Sequence, residues 1–102
     1  MCGIFGCISE DAASNVLEGL RKLEYRGYDS AGLAALFSDY EQIETERTVG
    51  YVSDLVSKAN GRFEGAKIAI GHTRWATHGG VTDSNAHPHS SEDGRITIGH
   101  NG

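Results

Sequence analysis

Basic residues are scarce and scattered: nine Lys and Arg against fourteen Asp and Glu leave a formal net charge of −5. Phosphate contacts need clustered Lys and Arg, so the balance argues against a nucleic-acid or anionic-membrane surface. No apolar run approaches the roughly 20 residues of a membrane span. The first residues also lack the basic-then-apolar pattern of a secretory leader. These absences point to the cytoplasm. Cysteine is limited to Cys2 and Cys7. Their odd spacing puts them on opposite faces of an extended segment, so they read as free thiols in a reducing compartment. No Gly-x-Gly-x-x-Gly or P-loop pattern is present, which leaves a nucleotide cofactor without support. The five histidines (72, 78, 87, 89 and 100) form no helical His-x-x-x-His pair, and there is no Cys-x-x-Cys ribbon. His87-Pro88-His89 is a weak pair at best, so no metal is expected. No repeat, low-complexity tract or linker interrupts the 102 residues, enough for one domain or part of one.

What is present is strand and helix patterning separated by glycine-rich polar segments. Cys2 to Ile8 is apolar on both alternating faces, a strand suited to a sheet covered on both sides. Ser9-Glu10-Asp11 offers cap-type residues and early negative charge. Ala13, Val16, Leu17, Leu20 and Leu23 then recur at helical spacing. Tyr25 to Gly32 breaks that pattern with two glycines and a dense polar set, either a connecting loop or the wall of a site or an interface. Strands are predicted at Leu33–Phe37 and Glu41–Val49 with a turn at Ser38-Asp39-Tyr40. A short helix follows at Val52–Val56, stopped by Asn60-Gly61. Lys67 to Gly71 is again apolar on both faces. A polar loop, Thr82 to Asp93, leads to a last strand at Ile96, Ile98 and His100. Doubly covered strands with only about two helices to cover them read as a piece of a larger domain.

Three places carry residue types suited to chemistry. If Met1 is removed, Cys2 holds a thiol and a free α-amine, whose unperturbed pKa values are about 8.5 and about 7.7–8.0. A neutral amine can take the thiol proton, directly or through a water, so one residue supplies nucleophile and base. While Met1 is attached the same nitrogen is an amide and cannot. Cys2 reads otherwise as a small apolar residue opening a buried strand. Arg74-Trp75-Ala76-Thr77-His78 concentrates a bidentate cation, a flat wall, a hydroxyl and an imidazole, a set that fits a small zwitterion such as an amino acid. A surface ion pair beside a structural Trp fits it as well. Asn101-Gly102 is a hairpin-turn dipeptide, or an oxyanion hole made of the Asn amide and the Gly N–H.

Five motifs together resemble one family. Cys2-Gly3-Ile4, Leu23 to Gly32 (LEYRGYDSAG), His72 to Gly79 (HTRWATHG), Asn85-Ala86-His87-Pro88-His89 and His100-Asn101-Gly102 are similar to the glutaminase domain of the glucosamine-6-phosphate synthases. These are class II glutamine amidotransferases of the N-terminal nucleophile hydrolase type. The resemblance runs nearly end to end, with the motifs in the family's order. It implies an α+β fold, an αββα four-layer sandwich, here truncated, with residues 1–102 its N-terminal part. It implies that Cys2 attacks the side-chain amide of glutamine, with Asn101 and Gly102 stabilising the oxyanion. Arg74, Trp75, Thr77 and His78 would form the glutamine pocket. In the intact enzyme, a homo-oligomer, the ammonia would pass to a sugar-isomerase domain that aminates fructose 6-phosphate. The family's later Asp, which binds the substrate's amino group, has no counterpart here. The alternative is a catalytically inactive glutamine-binding or assembly fragment, with a metal-dependent hydrolase a distant third.

Overall fold

The structure is a computed structural model and describes residues 2–26, 28–37, 43–76 and 79–101. In chain order the elements are β1 (Gly3–Ile8), α1 (Ala12–Leu23), β2 (Ser30–Leu36), β3 (Glu44–Val49), α2 (Val52–Ala59), β4 (Ile68–Arg74), β5 (His89–Ser90) and β6 (Thr97–Ile98). Short 3-10 turns occupy Glu24–Arg26 and Asp83–Asn85. The first four strands form one antiparallel sheet in the order β1-β4-β2-β3, and β5 pairs with β6 in a separate ribbon. Among the described residues no helix is long and apolar enough to cross a membrane.

Both helices lie on one face of the sheet. Register places Leu33 opposite Gly71, and Gly71 opposite Phe5. Leu33, Ala31, Ala35 and Ala69 are buried there against Val16 and Leu20 of α1 and Val52 and Leu55 of α2. The approach is close enough to require glycine. A Cβ on Gly71 would stand 2.5 Å from Val16 Cγ1, and one on Gly19 would stand 2.5 Å from the Phe5 ring. Burying a Leu or Val side chain fully contributes about 1.5–3 kcal/mol, so this face supplies most of the apolar stabilisation. The entry to α2 is held electrostatically: Val52 N–H donates to Glu24 Oε2 at 2.5 Å and Tyr51 N–H to Asp54 Oδ2 at 2.9 Å. Carboxylates there complement the positive end of the helix. Asn60, at φ 47°, and Gly61, at φ 74°, end α2 where the Asn-Gly signal predicted.

Several expectations shift. β4 runs on through Arg74, so His72-Thr73-Arg74 is strand, not loop. β2 begins at Ser30, taking Ser30-Ala31-Gly32 out of the polar segment. In both cases small or polar residues are tolerated because the ladder satisfies their backbone groups. The last strand is only Thr97–Ile98. The turn at Ser38-Asp39-Tyr40 lies outside the described residues. β1 is covered on one face only among the described residues: Ile4 is 48% exposed and Ile8 81% exposed, because both helices sit on the Phe5 side. Over residues 67–71 the second face is also left open, Ile68 being 43% exposed, and the chain after β4 reaches that face further on, at His72 and Arg74. Both cysteines are free thiols.

Candidate active site

The face away from the helices carries the polar chemistry. Register aligns Ile4, His72, Gly32 and Arg47 across it. The chain after β4 is pinned by groups of β3 and α2. Arg47 Nη1 donates to Ala86 O at 3.3 Å and meets His89 Nδ1 at 3.5 Å. Val49 N–H donates to Asp83 Oδ1 at 2.8 Å, and Lys58 Nζ lies 3.2 Å from Asp83 Oδ2. These contacts, the Val49 N–H foremost, hold the Asp83 carboxyl below its usual range. Gly32 has no Cβ because the His87 carbonyl oxygen occupies the space, 1.8 Å from where a Cβ would be.

Cys2 is buried at the head of β1. The pairing of Gly3 with Thr73 sets it beside the Arg74 end of β4. Its backbone nitrogen donates to Asn101 Oδ1 at 3.1 Å, joining positions 99 residues apart. Its thiol is directed at the Trp75 carbonyl oxygen, 3.9 Å away. Arg74 is buried and donates from Nη1 to Gly80 O at 3.0 Å, while Asn85 Nδ2 donates to the same oxygen, also at 3.0 Å. Gly79, Gly80 and Asn85 are thus gathered at the guanidinium. Trp75 is half exposed and lines a cleft of about 160 Å³ with Tyr28 and Asp29. Of the residues singled out in the sequence, Cys2, Arg74, Trp75 and Asn101 meet at one end of the sheet. Thr77, His78 and Gly102 lie outside the described residues.

Two sets of residues at this site were not picked out from the sequence. Asp29 brackets Trp75. Its N–H donates to Arg74 O at 3.0 Å and its Oδ2 accepts from Ala76 N–H at 2.9 Å. The available signal was the dense polar Tyr25–Gly32 segment, of which Tyr28 and Asp29 line the cleft beside Trp75. The second set is histidine. His72 and His87 stack with ring centroids 4.3 Å apart and planes 17° from parallel, and His89 tilts against His87 at 4.3 Å. Burial, then the neighbouring His72, His89, Arg74 and His100, lowers the His87 pKa to about 4. Burial likewise lowers His72 and His89. Among the described residues no group of three or more His, Cys, Asp or Glu is arranged to hold a metal ion. A larger cavity, about 470 Å³, lies on the helix side between Leu17, Val56 and Phe63. Among the described residues its lining has no Cys, His or Arg, so chemistry favours the Cys2 end of the sheet.

No protein-family model matches the chain. Its full length aligns with glutamine--fructose-6-phosphate aminotransferases (isomerizing) from several organisms. Identity is 50% with the Idiomarina loihiensis protein, 53% with that of Chlamydia caviae and 50% with that of Pyrococcus horikoshii. In each case the chain spans 17% of the relative's length. Among solved structures it resembles the glutamine phosphoribosylpyrophosphate amidotransferase of B. subtilis, with TM-score 0.72 and 26% identity over 91% of this chain and 20% of that one. It also resembles an allosteric regulatory enzyme of purine biosynthesis, with TM-score 0.74 and 28% identity over the same shares. The sequence resemblance and the amidotransferase fold are both borne out.

Proposed function

We propose that this chain, similar throughout to glutamine--fructose-6-phosphate aminotransferases and folded like a glutamine amidotransferase, is part of a domain that hydrolyses the side-chain amide of glutamine. The observation that carries this reading is the 3.1 Å bond between the Cys2 nitrogen and Asn101 Oδ1. It joins a nucleophile at one end of the sequence to an amide donor at the other. Because Oδ1 accepts from Cys2, the Asn101 NH2 is left to point elsewhere, as an oxyanion donor must.

With Met1 removed, the α-amine of Cys2 takes the thiol proton, directly or through a water, and Sγ attacks the amide carbon. Asn101 Nδ2 and the Gly102 N–H stabilise the tetrahedral oxyanion, each such donor being worth two to three orders of magnitude in rate, roughly. The amine returns the proton to the leaving nitrogen, ammonia departs, and a γ-glutamyl thioester remains. Water, deprotonated by the same amine, releases glutamate and restores the thiol. Arg74 holds the substrate carboxylate bidentately, Trp75 forms a wall, and Thr77 and His78 complete the pocket. No cofactor takes part.

In the intact protein the ammonia passes to a sugar-isomerase domain that aminates fructose 6-phosphate, in a cytoplasmic homo-oligomer. Further strands of the sandwich would cover the exposed face of Ile4, Ile8 and Ile68. That apolar face also favours the second reading, a glutamine-binding or assembly module without turnover. Incubation with an electrophilic glutamine analogue followed by intact mass separates them. The glutaminase reading predicts one covalent addition at Cys2 in molecules lacking Met1. Noncovalent glutamine binding with no addition would favour the module.

A further inference from the structure

We propose that His72 and His87 act as a paired clamp that positions Asn101, by holding both backbone groups of residue 100. This rests on the reading of Asn101 as an oxyanion donor. β6 ends at Ile98, so among the described residues His100 has no strand partner. Its carbonyl oxygen instead lies 2.8 Å from His72 Nε2, and its N–H donates to His87 Nδ1 at 3.3 Å. The two rings, stacked on one another, thus replace the two bonds a neighbouring strand would supply. A Cβ on Gly99 would stand 3.4 Å from His72 Cδ2, so the segment lies directly against the ring. The next residue is Asn101, bonded to Cys2.

The hydrogen bonds assign the tautomers. A carbonyl only accepts, so His72 carries its proton on Nε2; an N–H only donates, so His87 must be unprotonated on Nδ1. His72 Nδ1 is buried without a partner among the described residues, so a second proton there would be unsatisfied as well as desolvated. The charged and titratable groups around the pair are Arg74 on β4, His89 on β5, His100 itself, and Arg47 of β3 through His89. The side chains of Arg74, His89 and His100 disfavour a cation at either ring, and Arg47 does so at His89; the His100 carbonyl favours a proton on His72, but burial outweighs it. The clamp is therefore set at neutral pH and released when His87 takes up a proton near pH 4.

The test uses paired substitutions in the intact protein. His87→Leu removes the acceptor and His87→Asn returns one near the Nδ1 position. His72→Leu removes the donor and His72→Gln returns one near Nε2. The two Leu variants are expected to lose about 100-fold in kcat, as a misplacement of about 1 Å can cost, with the KM for glutamine unchanged. The Asn and Gln variants should recover most of it. In the same proteins, exchange of the His100 amide proton should quicken in His87→Leu and not in His87→Asn. A rise in KM at unchanged kcat, or equal losses in Leu and Asn variants, would overturn the clamp, as would His100 exchange indifferent to His87. If the unsubstituted protein takes no label at Cys2 from the glutamine analogue, the glutaminase reading is what fails. His100 exchange then still decides the clamp.

Discussion

The two faces of the sheet are made by the same strands and held by different physics. On one, Ala31, Leu33, Ala35, Ala69 and Gly71 meet two helices, and the fit is one of volume. On the other, Arg47, His72 and Gly32 meet a loop, and the fit is one of hydrogen bonds to backbone atoms. The first arrangement tolerates small shifts at a modest cost in stability, since apolar contact has no direction. The second does not, because a carbonyl moved by an ångström loses its bond. The proposed site, which needs Cys2, Trp75 and Asn101 in register, accordingly falls on the second face.

The largest effect expected from breaking this contrast is at the nucleophile. Cys2→Ala should reduce ammonia release from glutamine to background while leaving thermal unfolding nearly unchanged, since only a small thiol is lost; retained release would refute the assignment. Next comes a matched pair of glycines. Gly71→Ala places a methyl 2.5 Å from Val16 and 2.7 Å from Leu20. Overpacking of this kind costs about 1–3 kcal/mol, and turnover per folded molecule should hold. Gly32→Ala drives a methyl into the His87 carbonyl, so it should lower turnover at least tenfold through the displaced loop. Unfolding melts and steady-state rates on both variants decide whether the faces are separable; equal effects on both readouts would erase the distinction.

A smaller effect is expected at Arg74→Lys. An ammonium cannot reproduce the guanidinium fork, so KM for glutamine should rise about tenfold, about 1.4 kcal/mol, with kcat little changed. An unchanged KM would count against Arg74 as the carboxylate clamp. The smallest effect concerns pH. The His87 pKa is lowered to about 4 in the fold, against about 6.5 for a free histidine. Between those values the unfolded chain binds more protons, so stability rises with pH through that window. The contribution is complete above about pH 6.5 and lost as pH falls toward about 4. His72 and His89 are shifted the same way. Unfolding midpoints taken from pH 7 down to 4 should fall less steeply in His87→Asn than in the unsubstituted protein.

How much of this was legible in the residues depends on the face. The stripe of Ala13, Val16 and Leu20 and the stop at Asn60-Gly61 are local signals, and the helices lie where these signals put them. The chemistry-bearing motifs were legible only as a set: Cys2, Arg74 and Asn101 each have an ordinary structural use, and the resemblance of five motifs to one family is what singled them out. The bonds that assemble them were not legible. Asp29 to Ala76, His72 to His100 and Arg47 to Ala86 link positions 28 to 47 residues apart, and only the register of β2, β3 and β4 brings them together. Nor did periodicity reveal that Ile4 and Ile8 face away from both helices, since an apolar side chain looks the same in sequence whichever side is covered.

The central claim is that Cys2 works with its own amine, and the most direct measurement compares ammonia release with the fraction of molecules that have lost Met1. Rate should scale with that fraction and vanish where Met1 is wholly retained. Glutamine hydrolysis at full rate by protein that keeps Met1 would contradict it.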